Sequence, residues 1–378
     1  MSLRRRFIVA AATAGTFVAA GLAVAPAAQA HPAGPASYLS NFSSLSTIAS
    51  TVPKNGDQNP YGIVIVPEST GRLHQGNIRI RNFHNAANRQ GPGTTIVQIT
   101  PGGHRKLFAT IDANKLPGPC PGGVGLSTAL VVLPGGWVVV GSTPSTDGTV
   151  ANSGPGCLIV LDRNGRVAET FSGNGINGPW DSTAVTDDGV ASLFVTNTLN
   201  GTAAANPGLV NEGTVLRLTL QLSGKQPPQL TAVTEIGSGF AEQGSASAFV
   251  LGPTGVGLAA DDTLYVADTQ DSTIHAIPHA LTRSGSAGTG MLVTSGDLLN
   301  APLGLGIAPN GDILTVNGND GNIVETTPSG PQIDSILLDS SGTPPDLGAG
   351  ALFGLAVRPD LLGVYYVDDA TNTLNLLN

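Results

Sequence analysis

The chain has 378 residues and a formal net charge of −9, with only 11% charged residues, so it lacks the basic excess that holds nucleic acid or an anionic membrane. With 51 glycines and 27 prolines it is poor in helix formers and rich in turn formers. Its Val, Ile, Leu and Thr content is too high for a disordered chain, which leaves many short strands joined by tight turns.

The first thirty residues read as an export signal. Arg4, Arg5 and Arg6 are followed by an apolar stretch over residues 7–25 and by the small-x-small pattern Ala28-Gln29-Ala30. A membrane anchor would need a stop-transfer pattern, and His31-Pro32-Ala33-Gly34-Pro35 instead opens a linker. Cleavage after Ala30 removes three arginines and no acid, taking the charge from −9 to −12. Arg4-Arg5-Arg6-Phe7-Ile8 also fits the core of a twin-arginine signal, with Leu3 where Ser or Thr is usual, so both export routes stay open. No later stretch approaches ~18 uninterrupted apolar residues, so no further span is expected. The domain reading is a signal peptide at 1–30, a linker and strand at 31–58, and a repeat domain at 59–378.

From residue 59 one pattern returns six times: a Gly-containing turn, a short apolar strand, a Gly or Asp turn, and a second strand ending on a polar residue. The paired segments are 61–66 with 77–82, 128–132 with 137–142, 182–185 with 193–197, 255–259 with 263–268, 304–308 with 312–317, and 354–357 with 365–369. Each unit continues into two more strands, as at 95–99 and 104–108 in unit one. In unit two these are 158–161 and 167–171, with the hairpin signal Asp162-Arg163-Asn164-Gly165 between them. Repeats of four strands that cannot bury both faces alone predict an all-β, six-bladed β-propeller of four-stranded antiparallel blades. The last unit is short of one strand, so residues 38–51 are expected to supply its outermost strand and close the ring.

Cys120 and Cys157 lie on either side of the inner pair of unit two. In an exported chain a disulfide is the default and two buried free thiols the alternative.

Gly255-Val256-Gly257-Leu258 with Leu264-Tyr265-Val266-Ala267-Asp268-Thr269, and their equivalents in units five and six, resemble the NHL-repeat family of β-propellers. The resemblance is good over 249–378 and weaker over 59–240. It implies architecture rather than activity, because NHL-like and related six-bladed propellers include binding modules, lactonases, esterases and lyases.

Every second strand ends on a polar residue: Asn82, Ser142, Asn197, Asp268, Asn317 and Asp369. Their recurrence points to side chains that cap their own turns. Two features are not shared by all units. Long loops at 83–93, 143–156 and 198–213 form a rim over units one to three, carrying His84, Asn85, Asn88 and Arg89. Asp181 sits at an inner-strand start where other units carry Gly, Leu or Thr. It reads either as a cap beside Trp180 or as an acid near the axis that holds a cation or acts as a base. The ligand-binding candidates are therefore Asp181, Asn82, His84, Asn85 and Asn197.

Lactonase-like propellers hold a divalent metal with Glu, Asn and Asp from several inner-strand starts. Here only Asn59 and Asp181 match, so a Ca²⁺ set is incomplete. No His stands at an inner-strand start, where the lyase-like propellers would need one. His275 and His279 fall on an outer strand and turn. No Gly-x-Ser-x-Gly, His-Glu-x-x-His or P-loop is present. His31, N-terminal after cleavage, would need a second His to chelate copper, and the linker behind it argues against a fixed site. The expectation is a secreted monomer that binds a protein, glycan or small molecule through the rim over blades 1–3. A metal-dependent lactonase-, esterase- or lyase-like hydrolytic enzyme centred on Asp181 is the alternative.

Overall fold

A computed structural model describes residues 36–378. The signal-peptide reading and His31 lie outside the described residues. Six antiparallel sheets follow one another around an axis. Their inner strands are Gln58–Ile65, Leu126–Leu133, Gly178–Asp187, Pro253–Leu258, Pro302–Ile307 and Leu352–Val357. Within each blade successive strands are neighbours, and each inner strand packs against that of the next blade until the sixth meets the first. No helix among the described residues is long and apolar enough to cross a membrane.

The ring closes as expected. In the sixth blade the order from the outside is Leu45–Ser50, Thr373–Leu377, Val364–Asp368, Leu352–Val357. Leu45 lies opposite Leu377 and Ser50 opposite Thr373. The segment before this strand is also fixed. The Glu325 carboxylate, fully buried on blade 5, accepts hydrogen bonds from the main-chain N–H of Tyr38 and of Leu39, both at 2.8 Å, and from Ser37 Oγ at 2.7 Å. Leu39 is buried with Leu314, Val316 and Ile323.

Blade 3 departs from the plain meander. Its outer pair is a long hairpin of 14 and 20 residues, Val210–Ser223 and Gln226–Ser245, and a fifth short strand, Phe249–Leu251, adds to the latter.

Packing between blades buries both faces of the second strand in blades 1, 2, 4, 5 and 6. In the second strand of blade 1, Ile78–His84, the isoleucines at 78 and 80 and the arginines at 79 and 81 are all at 0% exposure. The alternating apolar–charged pattern would suit one wet face, yet here both faces are dry.

Each inner strand carries a register shift near its start. The residue just before the ladder resumes is Gly62, Ala129, Asp181, Gly255, Gly304 or Gly354. A Cβ at Gly62, Gly255 or Gly354 would come within 2.2 Å of the next blade's carbonyl oxygen, and at Gly304 within 2.3 Å. The inner strands thus approach at this level as closely as backbone allows.

Cys120 and Cys157 form a disulfide with a Cα separation of 5.2 Å, compatible with an extracellular protein. It ties the start of the third strand of blade 2 to the loop before that blade's inner strand. Replacing both cysteines by Ser is expected to lower stability by roughly 3–4 kcal/mol through loop-closure entropy. Denaturant titration of the double variant beside the oxidised parent checks this, and a difference near zero would contradict it.

Candidate functional site

One end of the axis is closed by aromatic rings drawn from blades 1, 3 and 6. Tyr61 stacks on Phe353 with centroids 3.8 Å apart, and Phe83 lies 5.0 Å from Tyr61. Trp180 meets Tyr61 edge-on at 5.9 Å and stacks with Phe249 at 6.3 Å. All five are buried. Beneath this plug is a cavity of about 30 Å³, wide enough for little more than one water, lined by Tyr61, Thr128, Trp180, Asp181 and Thr254 among others.

Asp181 lines this cavity and also a wider funnel of about 360 Å³ that runs towards the far ends of the inner strands. The funnel's lining side chains are mostly aliphatic, among them Ile63, Ile65, Leu130, Val132, Leu355 and Val357, but the surface it exposes is more polar than apolar. Beside Asp181 the polar groups are the neighbouring Ser182 and Thr183. Asp181 Oδ1 accepts the Ser182 N–H at 2.8 Å, and the Val256 amide also donates to the carboxyl. Burial pushes the carboxyl up to about 7 against the pull of those two amides, and no cationic side chain contributes. The surrounding backbone is tied by hydroxyls. The Asp181 N–H donates to Thr196 Oγ1 at 3.0 Å, Thr196 Oγ1 donates to the Thr254 carbonyl at 2.6 Å, and Thr128 Oγ1 donates to the Trp180 carbonyl. Asp181 is thus a proton-holding group at the blind end of the funnel.

The other sequence candidates do not line this funnel. Asn197 is spent as a cap: Oδ1 accepts from the N–H of Asn177 and Gly178 at 2.8 and 3.0 Å, and Nδ2 donates to the Gly175 carbonyl and Thr214 Oγ1. Asn82 donates to the Thr51 carbonyl at 3.1 Å while its buried Oδ1 has no partner. Asn85 Oδ1 accepts from the N–H of Ala87 and Arg89, closing its own turn. His84 is buried with Nδ1 2.7 Å from Asn88 Oδ1, and burial lowers its pKa against that contact. Asn59 is buried with φ +63°, its N–H given to Asn372 Oδ1 at 2.7 Å.

In four blades the recurring polar position is a cap: besides Asn197, Ser142, Asp268 and Asp368 accept backbone N–H groups from Gly125, Gln270 and Thr371. Asn82 and Asn317 instead donate to the carbonyls of Thr51 and Leu298 and leave Oδ1 without a partner. In blade 6 the equivalent residue is Asp368, opposite Leu352, and the expected Asp369 lies one residue beyond it.

Among the described residues no three His, Cys, Asp or Glu side chains are placed to share a metal. Asp181 and Asn59 do not converge into a set: Asn59 lines neither the cavity nor the funnel that Asp181 borders. A calcium ion, which takes six to eight oxygens, does not fit these residues.

No protein-family model matches the chain and no curated protein matches it. Solved structures of the same fold do. A gluconolactonase from Xanthomonas campestris aligns with a TM-score of 0.54 at 14% identity, over 88% of each chain. A luciferin-regenerating enzyme aligns at 0.54 and 11% identity, over 89% of this chain and 95% of its own. A streptogramin B lyase aligns at 0.50 and 13% identity, over 89% and 97%. At these identities the likeness is one of fold: the protein is a six-bladed β-propeller with lactonase and lyase neighbours. The narrower NHL resemblance finds no matching family model.

Proposed function

We propose that this is a secreted propeller that binds a small amphipathic molecule in the axial funnel, with one hydrogen-bonding group of the ligand meeting Asp181. The observation that carries the reading is Asp181 itself. At a level where the other five blades have Gly or Ala, blade 3 presents a half-buried carboxyl without a cationic partner to a funnel of ligand size. Such a group costs stability, so its place in the ring is better accounted for by a ligand than by packing. The rim over blades 1–3 has a supporting part in this reading. His84, Asn85 and Asn88 are tied to their own loop, and Phe83 and Phe249 complete the plug that makes the funnel blind.

A second reading, general acid–base catalysis of a hydrolytic or lyase type, is favoured by the carboxyl value of about 7, which suits proton transfer near neutrality. The gluconolactonase and lyase of the same fold are its only further support.

Trp180 borders the plug and reports on the funnel, and Trp137→Phe removes the one other tryptophan. A panel of small amphipathic alcohols, lactones and acids, screened by Trp180 fluorescence and thermal shift, is expected to yield binders equally in calcium and in chelator. Asp181→Gly, which restores the residue of four other blades, should fold normally and lose about tenfold or more in affinity for them. Equal binding by parent and variant would remove the reading. Turnover of a bound ester or lactone that Asp181→Asn abolishes would favour the catalytic one.

A further inference from the structure

A second place in the molecule is built for a ligand, and its chemistry is opposite to that of the funnel. Residues 69–111 contain no Asp or Glu but carry Arg72, Arg79, Arg81, Arg89, Arg105 and Lys106, so this stretch is +6 in a chain of −9 and the remainder is −15. The fold draws part of this charge into one groove on blade 1. It measures about 200 Å³ and is lined by Arg72, His74, Arg79, Gln98, Lys106 and Phe108, with Gly71 and Leu107 at its edges. No carboxylate lines it.

Arg79 forms the floor. It lies on the second strand of the blade opposite Gln98, wholly buried, with its guanidinium 3.5 Å above the centre of the Phe108 ring. One nitrogen, Nη2, donates to the Arg72 carbonyl at 3.2 Å. Nε and Nη1 have no partner in the protein, and neither has Gln98 Oε1. Burial, and next the Arg72 charge, bring the Arg79 pKa down to about 9, a measure of how poorly the cation is compensated. The Arg72 guanidinium is held over the groove by the carbonyls of Leu107, Phe108 and Asn164 at 2.7–3.1 Å. Lys106 is exposed at the mouth.

A buried guanidinium with donors unused is costly, and the groove above it is roomy and free of acids. We propose that this blade 1 groove binds a small oxyanion, a phosphate or sulfate group, with Arg79 and Gln98 at its floor and Arg72 and Lys106 supplying charge at its mouth. The ring under Arg79 fixes the plane of the cation, and the pinned Arg72 keeps its charge in place before the anion arrives, so little ordering remains to be done on binding.

The test is calorimetric titration of the mature protein with inorganic phosphate, and separately with sulfate, at low ionic strength, alongside ³¹P line broadening. One saturable site is expected. Lys106→Ala, a surface change, should weaken it severalfold, and Arg79→Met about tenfold or more. Arg358→Ala, on blade 6, should leave it unchanged. If Arg79→Met does not fold, Lys106→Ala decides alone. Absence of saturable binding, or affinities that are the same in Lys106→Ala and in the parent, would overturn the site and leave Arg79 as a water-solvated brace on Phe108.

Discussion

Moving from about pH 8 to about pH 5 is expected to stabilise the propeller by a few kcal/mol, the reverse of the behaviour of a protein held by ionised acids. Burial is the first cause in every case. It carries Asp181, Glu242, Asp268 and Asp369 to about 7, and Asp312 and Asp368 to about 6. The unfolded chain titrates the same groups near 4. Between the two values the folded protein holds more protons than the unfolded one. The stability these groups allow is therefore complete below about pH 4, declines as the pH rises to about 7, and is level above that. A carboxyl moved from about 4 to about 7 contributes at most about 4 kcal/mol, and water in the funnel and loops screens these sites well below that limit. His84 and His275, which burial holds below the usual imidazole value, act in the opposite sense below about 6.5. The balance is ~3–6 kcal/mol in favour of the acid side, or about 5–10 °C in melting temperature. Calorimetric scans across this range check it, with Asp181→Asn and Asp268→Asn each flattening the slope. A melting temperature that climbs steadily towards pH 8 would show that the buried carboxyls are ionised and compensated.

Much of this architecture is written locally, and the site is written at long range. The hairpin of blade 4 is legible because an apolar run, an Asp turn and a second apolar run ending in Asp268 are contiguous, and the same holds for blades 5 and 6. The closing strand is legible by subtraction, since the last blade has one strand too few. Asp181 stands out because the ring repeats and only one blade breaks the Gly or Ala pattern. The plug is not legible: Tyr61, Phe83, Trp180, Phe249 and Phe353 lie far apart in the chain, and only closure of the ring brings them together. The burial of Arg79 and Arg81 is hidden for a related reason. Alternation with Ile78 and Ile80 has the period of a strand with one wet face, and the sequence of a single blade does not reveal that a neighbour covers the other. The slip from Asp368 to Asp369 arises where Asp-Asp offers two equivalent ends to one strand.

Glu325→Ala is expected to cost about 3–5 kcal/mol and to free the N-terminal segment, an effect larger than that of an ordinary surface acid. The carboxylate is buried on the third strand of blade 5 and is the joint acceptor for Ser37 Oγ and for the main-chain N–H of Tyr38 and Leu39. Those donors hold the residues that lead into Leu45–Ser50, the strand that covers the edge of Thr373–Leu377. Burial pushes Glu325 up, but the amides of Leu39 and Tyr38 outweigh it and leave the group below its usual value. Its neighbour Asp312 is raised to about 6, so of the two it is Asp312 that takes a proton first. The sign for Glu325 is therefore opposite to that of the six raised carboxyls. Its contribution is present above the unfolded value of about 4.5 and is lost as the pH falls through the lower folded value. The gain from protonating the other buried acids thus stops where this clamp lets go, and the stability maximum should move to lower pH in Glu325→Gln, which keeps one acceptor and cannot ionise. Limited proteolysis reads the clamp directly: cleavage in residues 36–44 should accelerate in Glu325→Ala while the blades remain resistant. A variant cut no faster than the parent would show that the buried Leu39 and the strand pairing alone hold the ring shut.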